Sequence, residues 1–129
     1  LAHRGTLGPL IQNLKREGLF VSLFIDPEEA QIRASLELGA DSVEFHTGTY
    51  CEQPISSREP ELHRLAEAAR LAKQTGFFVA AGHGLNYENV HPVKKILEIE
   101  EYNIGHSIVA HAVIVGWERA VREMKALVS

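Results

Sequence analysis

The chain has 129 residues and a formal net charge of −4, from 13 Lys and Arg against 17 Asp and Glu. Its composition, 45% hydrophobic and 23% charged, is that of an ordinary globular protein, and it lacks the block of basic residues that a dedicated nucleic-acid-binding protein needs. No apolar run reaches the roughly 18–20 residues that span a bilayer. Neither nucleic acid nor a membrane is therefore expected as a partner.

The single cysteine, Cys51, cannot form an internal disulfide, which argues against a disulfide-stapled secreted domain. The first residues show no positively charged segment followed by an apolar one, so no signal peptide is indicated and a cytoplasmic location is expected. At this length we expect a single domain over residues 1–129.

Short apolar runs alternate with amphipathic stretches along the chain, as strands do with helices. Gly18, Gly39 and Gly76 stand before the first three runs, where a helix C-cap would lead into a strand. Asp26 and Pro27 offer an N-cap and a first helical residue. The predicted elements are a helix over 9–16, a strand over 20–25, a helix from Asp26, a strand over 42–46, a helix over 60–74, a strand over 77–81, a short helix after Pro92, a strand over 102–104 and a helix over 107–128.

Strands that alternate with helices imply an α/β fold, in which helices cover a parallel sheet and ligands bind at the carboxyl ends of the strands. The short helix after Pro92 is expected to bury Val93, Ile96 and Leu97. The segment over 48–58 is the one long connection, and it is interpreted either as a lid or as slack, that is, an irregular loop without a function.

Polar side chains stand at the carboxyl ends of the predicted strands. Asp26 ends the first strand, Glu44 and His46 lie in the second, His83 follows the third and His106 follows the fourth. Glycine and apolar residues are expected at the amino ends. This asymmetry predicts a site at the carboxyl face of a parallel α/β structure.

Glu44 alternates with Val43 and Phe45 in a strand that a parallel sheet should make almost wholly apolar. Its carboxylate must therefore face a barrel or a cleft, and it needs a partner because an unpaired buried charge is costly. His46 shares the face of Glu44 and is a candidate ligand, base or orienter of that carboxylate. Asp26 is interpreted first as a helix cap and only second as a functional residue.

His83 stands between two glycines, which bring the backbone close to a ligand and leave the imidazole accessible. Gly105, His106 and Ser107 open the last helix, whose unpaired amides and positive dipole end favour a phosphate. Ordinary capping by Ser107 is the alternative. Cys51 has no neighbouring base in the sequence that would activate it as a nucleophile.

Four stretches occur in the order and with the spacing of one known enzyme family. Together they resemble the pyridoxine 5′-phosphate synthases, the ring-closing enzymes of the deoxyxylulose-dependent vitamin B6 pathway, and the similarity extends over about residues 18–127. The stretches are Val-Ser-Leu-Phe-Ile-Asp at 21–26, Val-Glu-Phe-His-Thr-Gly at 43–48 with Tyr50, Ala-Gly-His-Gly-Leu at 81–85 with Tyr-Glu-Asn-Val at 87–90, and Asn-Ile-Gly-His at 103–106.

The resemblance implies a TIM (β/α)8 barrel, of which this chain would be the C-terminal half, with strands five to eight and their helices. A complete barrel takes about 200–250 residues. The family's N-terminal half, with an Asn-x-Asp-His motif and a His-x-Arg-x-Asp-Arg-Arg-His segment, is not found in the sequence. We therefore expect this chain alone to be an inactive fragment.

The family enzyme condenses 1-deoxy-D-xylulose 5-phosphate with 3-amino-2-oxopropyl phosphate, giving pyridoxine 5′-phosphate, phosphate and water. It forms homo-octamers and uses no metal or organic cofactor. The resemblance implies that His83 is the proton donor and that Glu44 stabilises charge in the transition state. It further implies that Gly84, Gly105 and His106 bind the phosphate of the amino-ketone.

Two other interpretations of the sequence are open. A metal-dependent TIM-barrel hydrolase would use Asp26, His46, His83 and His106 as ligands at four strand ends. A non-catalytic half-barrel would bind phosphate or serve in assembly, and it would self-associate to cover the open edges of its sheet.

Overall fold

The computed structural model describes residues 4–129 and contains one parallel sheet of four strands. The strands lie side by side in sequence order, so each connection leads from one strand to its immediate neighbour. The predicted α/β fold with a parallel sheet is confirmed. The strands are β1 (Ser22–Ile25), β2 (Ser42–His46), β3 (Phe78–Gly82) and β4 (Glu101–Asn103).

Helices precede, connect and follow the strands, as the alternating pattern predicts. Gly18, Gly39 and Gly76, the predicted helix ends, have φ angles of 76°, 78° and 93°. Within residues 4–129 no helix is long and apolar enough to cross a membrane. The helices are α1 (Arg4–Arg16), α2 (Glu29–Glu37), α3 (Gly48–Glu52), α4 (Glu59–Gln74), α5 (Val90–Lys94), α6 (His106–Val115) and α7 (Trp117–Val128), with a 3-10 turn at Ile55–Ser57.

The two faces of the sheet differ in character. On one face Val43 pairs with Val79 and Phe45 with Ala81, and all four side chains are fully buried. This face packs against helices α2 and α4. Glu44 and His46 alternate with these residues along β2 and are only half-buried. The apolar face therefore forms the core, and the opposite face is free for chemistry. The helical residues of the core are Ile32, Leu65, Ala68, Ala69 and Ala72.

The amino ends of two strands carry carboxylates, and the expectation of only glycine and apolar residues there is wrong. Asp41 precedes β2, and its carboxylate accepts the N–H of Val21 at 2.9 Å and pairs with the Lys15 ammonium. The Lys15 ammonium and the Val21 amide hold the pKa of Asp41 below its usual range. Asp41 thus ties the end of α1 to the amino ends of β1 and β2.

Glu100, which precedes β4, likewise pairs with a lysine and accepts a backbone N–H. Its carboxylate lies 2.6 Å from the Lys73 ammonium on α4 and accepts the N–H of Val79 at 3.3 Å. The Lys73 ammonium, together with the Val79 amide, lowers the pKa of Glu100. The amino edge of the sheet is therefore held by ion pairs between helices and strand ends.

Two predictions for the C-terminal part of the chain are wrong. The helix expected over 107–128 is interrupted at Gly116, whose φ of 86° and ψ of 153° no helix contains, and α6 and α7 lie on either side of it. Leu97 is 88% exposed rather than buried with Val93 and Ile96, because the chain has already left α5 at that point.

Asp26 is not the N-cap of α2, as the sequence suggested. The helix begins at Glu29, and within the described residues Glu28 caps it without a side-chain hydrogen bond. Asp26 pairs instead with Gln31, whose Oε1 accepts the Asp26 N–H at 3.0 Å and whose Nε2 donates to Asp26 Oδ2 at 3.1 Å. The segment over 48–58 is likewise not slack, since it consists mainly of α3 and the 3-10 turn.

Replacing Asp41 with Asn is expected to lower the free energy of unfolding by about 0.5–1 kcal/mol at neutral pH, because a neutral amide forms no ion pair with the Lys15 ammonium. Since the pKa of Asp41 is lower in the folded protein than in the unfolded chain, this stabilisation is complete above the ordinary carboxyl pKa. It is lost as the pH falls through the folded value. Urea unfolding of both proteins at a series of acidic pH values measures whether their free energies of unfolding converge.

The control for this experiment is Glu118→Gln, which removes an exposed ion pair with Arg122 on α7 and should not change stability measurably. A loss for Asp41→Asn that persists unchanged in acid would show that the carboxylate charge is not its cause.

Candidate active site

The carboxyl ends of the strands open into a cleft of about 630 Å³. Five residues singled out from the sequence lie in its wall: Glu44, His83, Gly84, Gly105 and His106. They come from β2, from the turn after β3 and from the start of α6. The structure therefore brings them together, while their chemical roles stay predictions. The rest of the wall is formed by Phe24, Leu85, Asn86, Asn103, Ile104 and Ser107.

The carboxylate of Glu44 has the partner that its position in the sheet requires. Asn103 Nδ2, from the end of β4, donates to Glu44 Oε2 at 2.9 Å and lies 3.3 Å from Glu101 Oε1. This amide reaches across β3, which separates β2 from β4. Asn103 belongs to the fourth family stretch but has no predicted role, although it ends β4 as His46 ends β2.

Gly82 makes room for this contact between the two outer strands. A Cβ at position 82 would lie 2.3 Å from Glu44 Oε1 and 3.1 Å from Asn103 Cβ, well inside van der Waals contact. Since no real Cβ tolerates such a distance, the carboxylate can occupy its place only over a glycine.

His83 lies in the turn after β3 with a φ of 79°, and within residues 4–129 it is the one residue other than glycine with a positive φ. Its carbonyl accepts the Thr47 hydroxyl at 2.6 Å and lies 3.6 Å from Cys51 Sγ. Burial raises the pKa of the Cys51 thiol, which keeps it protonated and agrees with its dismissal as a nucleophile. The backbone of His83 is thus held from the side of α3.

His46 lies against His83. The two imidazole rings are stacked, with centroids 4.6 Å apart and planes 28° from parallel. The edge of the Phe24 ring packs on His46 at 5.3 Å, and Asp26 Oδ1 lies 4.0 Å from His46 Nδ1. The structure therefore places His46 beside His83, and Asp26 on His46.

The metal site considered from the sequence is not formed. Within the described part of the chain, no three His, Cys, Asp or Glu side chains are grouped so that they could hold a metal ion. Asp26, His46 and His83 follow one another in a row, and a stack of two imidazoles keeps their in-plane lone pairs in separate planes. The structure contradicts the ligand set of Asp26, His46, His83 and His106.

The first turn of α6 closes the other end of the cleft. Gly105 is its N-cap, and no side chain among residues 4–129 caps the helix there. The expected alternative, capping by Ser107, is wrong because its hydroxyl donates to the Leu85 carbonyl at 3.0 Å. Uncapped amides at a positive helix end bind anions, and a phosphate is the natural ligand of such a terminus.

Comparison with known proteins gives one consistent answer. The family model of the pyridoxal phosphate biosynthesis protein PdxJ matches residues 1–129. The pyridoxine 5′-phosphate synthase of Sulfurihydrogenibium sp. (strain YO3AOP1) is 51% identical over 122 residues, which are 95% of this chain and 50% of the relative. The synthase of Syntrophotalea carbinolica is 51% identical over 126 residues, 97% of this chain and 53% of the relative. The chain thus spans about half the length of the curated relatives it matches.

Replacing Gly82 with Ala is expected to push the flexible end of Glu44 away from Asn103 and to lower the free energy of unfolding by about 0.5–1.5 kcal/mol, the usual contribution of one hydrogen bond. Urea unfolding measures the loss, and a crystal structure of the variant should show Glu44 moved away from Asn103. Gly5→Ala is the control, since a Cβ at position 5 of α1 meets nothing within 4 Å. A Gly82→Ala variant of unchanged stability, with the Glu44–Asn103 contact intact, would refute the close approach.

Proposed function

Because the chain belongs to the PdxJ family of pyridoxal phosphate biosynthesis proteins, we propose that its cleft is part of the active site of a pyridoxine 5′-phosphate synthase. The reaction is the condensation of 1-deoxy-D-xylulose 5-phosphate with 3-amino-2-oxopropyl phosphate to pyridoxine 5′-phosphate, phosphate and water. One observation carries the proposal: a single cleft contains an imidazole, a carboxylate and an uncapped helix N-terminus.

These three groups match the needs of the reaction. A ketone and an amine that condense expel the hydroxyl as water, which requires a proton donor, and His83 supplies that proton in this proposal. The nitrogen is left with positive charge as the carbon–nitrogen double bond forms. The Glu44 carboxylate, kept in place by Asn103, stabilises that charge.

The phosphate of the amino-ketone binds at the opening of α6 in this proposal. Gly105 and His106 supply backbone amides at the positive end of the helix dipole, and the His106 side chain lines the same cleft. Gly84, in the turn after β3, lines the same cleft. A phosphate held here places the rest of the substrate between His83 and Glu44.

We also propose that the sheet forms strands five to eight of a TIM barrel. The strands are parallel and in sequence order, as in such a barrel, and β1 and β4 are the edges of the sheet. The exposed rings of Phe20 and Phe24 at the β1 edge support pairing with further strands. Exposed Ile114 and Trp117 support an assembly larger than one chain, and a homo-octamer is the assembly proposed.

The assay that tests this function uses the protein as its gene encodes it, incubated with both substrates. We expect pyridoxine 5′-phosphate, detected by chromatography, in amounts equal to the inorganic phosphate released. Omission of either substrate should abolish the product. If a known synthase forms product in the same mixture and this protein forms none, the proposed function is wrong.

Replacing His83 with Asn is expected to lower kcat by about 10²–10⁴-fold, the usual effect of removing a general acid. Asn tolerates the left-handed backbone found at this position, so the turn should survive the change. The affinity for inorganic phosphate, measured by calorimetry, should stay within a few-fold. His63→Asn, at an exposed position of α4, is the control and should leave kcat unchanged. A His83→Asn enzyme within a few-fold of the unsubstituted one would exclude His83 as the proton donor.

Replacing Gly105 with Ala tests the phosphate site. A Cβ at position 105 meets nothing within 4 Å, so the fold should tolerate it while the methyl group stands in the cleft. We expect KM for the amino-ketone to rise about tenfold, a loss of about 1.4 kcal/mol, with a smaller change in kcat. Gly8→Ala on α1, where a Cβ makes only an ordinary contact with Leu38, is the control. An unchanged KM would place the phosphate elsewhere.

A further inference from the structure

The side chain of Thr47 contacts two successive carbonyl groups of the turn that carries His83. Thr47 lies between β2 and α3 and is 1% exposed. Its hydroxyl oxygen is 2.7 Å from the carbonyl oxygen of Gly82 and 2.6 Å from that of His83. Since a hydroxyl has one proton to donate, the two carbonyls share it.

These two carbonyls belong to the peptide groups on either side of the His83 Cα. The φ and ψ angles of a residue are the rotations that set the relative orientation of those two groups. A single oxygen in hydrogen-bond contact with both therefore restrains the conformation of His83. The Thr47 N–H adds a third bond, to the Gly82 carbonyl at 2.9 Å, which anchors the threonine itself.

The conformation that is held in this way is an unfavourable one. The φ of His83 is 79°, in the left-handed region, where a side chain with a Cβ is strained. Such a conformation persists only where its surroundings impose it. The next carbonyl, of Gly84, is also held, by Asn89 Nδ2 at 3.0 Å. Thr47, however, is the side chain that contacts the carbonyls on both sides of the His83 Cα.

We propose that Thr47 is a positioning residue, whose hydroxyl holds His83 in its left-handed conformation and so directs the imidazole into the cleft. The inference rests on the proposed function, in which that imidazole donates the proton. Without the hydroxyl the turn relaxes toward an ordinary backbone conformation, and the imidazole leaves its place in the wall of the cleft.

Ser42 provides a matched control for a purely structural role. It stands at the other end of the same two strands, is 2% exposed, and its hydroxyl donates to the Phe78 carbonyl at 2.9 Å. Thr47 and Ser42 thus both have buried hydroxyls that bond β2 to β3, one at the carboxyl end and the other at the amino end of β2. Only Thr47 contacts the residue that bears the proposed proton donor.

The experiment compares Thr47→Val, Thr47→Ser and Ser42→Ala in the protein as its gene encodes it. We expect kcat to fall about ten- to a hundredfold in Thr47→Val, as a misplaced catalytic group does, with KM changed little. Thr47→Ser keeps the hydroxyl and should restore kcat to within a few-fold. Ser42→Ala should lose comparable stability in urea while kcat stays unchanged. If Thr47→Val does not fold, Thr47→Cys replaces it, because a thiol is a weaker donor of similar size. The kcat of Thr47→Cys is then expected to lie below that of Thr47→Ser.

Three results would overturn the proposal: a Thr47→Val or Thr47→Cys enzyme with normal kcat, a Ser variant as slow as the Val variant, or an equal fall of kcat in Ser42→Ala. A crystal structure of the Val or Cys variant separates this inference from the proposed function. If the unsubstituted protein has no synthase activity, the proposed function is wrong. The position of Thr47 is then judged by whether His83 leaves its positive φ in the variant, and a His83 that stays there refutes the inference.

Discussion

The parallel register between β2 and β3 places Glu44 beside Ala80 and His46 beside Gly82, so each long polar side chain has a small neighbour. The space over β3 is what admits the Glu44 carboxylate and lets Asn103 reach it from β4. A slip of one residue would turn Glu44 into the apolar core, where an unpaired carboxylate is strongly destabilising. The same register brings the end of β2 beside the turn that carries the imidazole. The hydrogen-bond ladder between two strands thus determines both the core and the cleft.

The amino and carboxyl ends of the strands have different functions. At the amino ends of the strands Asp41 and Glu100 accept backbone N–H groups and pair with Lys15 on α1 and Lys73 on α4, which secures the packing of helix on strand. At the carboxyl ends of the strands the polar groups line or border an open cleft and contact one another, Glu44 with Asn103 and His46 with His83. This division lets the site keep a strained backbone at His83 while the ion pairs and the core maintain the fold.

The sequence predicts those features that depend on local pattern. Period-two and period-3.6 repeats locate the strands and most helices to within a few residues, and the strand ends predict where the cleft lies. The contacts of Asn103 and Thr47 escape such reasoning because each crosses from one strand to another and depends on the spacing within the sheet. Gly116 escapes it for a different reason, since an apolar stripe continues through it although its positive φ separates α6 from α7. Asp26 fits an N-cap by composition, but Gln31 competes for it in three dimensions.

Three glycines around the cleft, Gly48, Gly82 and Gly84, stand where any side chain would collide with His46, Glu44 or Cys51. A substitution at any of these glycines would displace His46, Glu44 or Cys51 before it changed the size of the cleft. Laboratory evolution of this protein toward other substrates is therefore expected to retain glycine at these three positions. Among the other wall residues, Phe24 is 56% exposed and Ile104 is only partly buried, so these two positions leave more room for other side chains. The cleft thus combines an inflexible floor with a rim that can be redesigned.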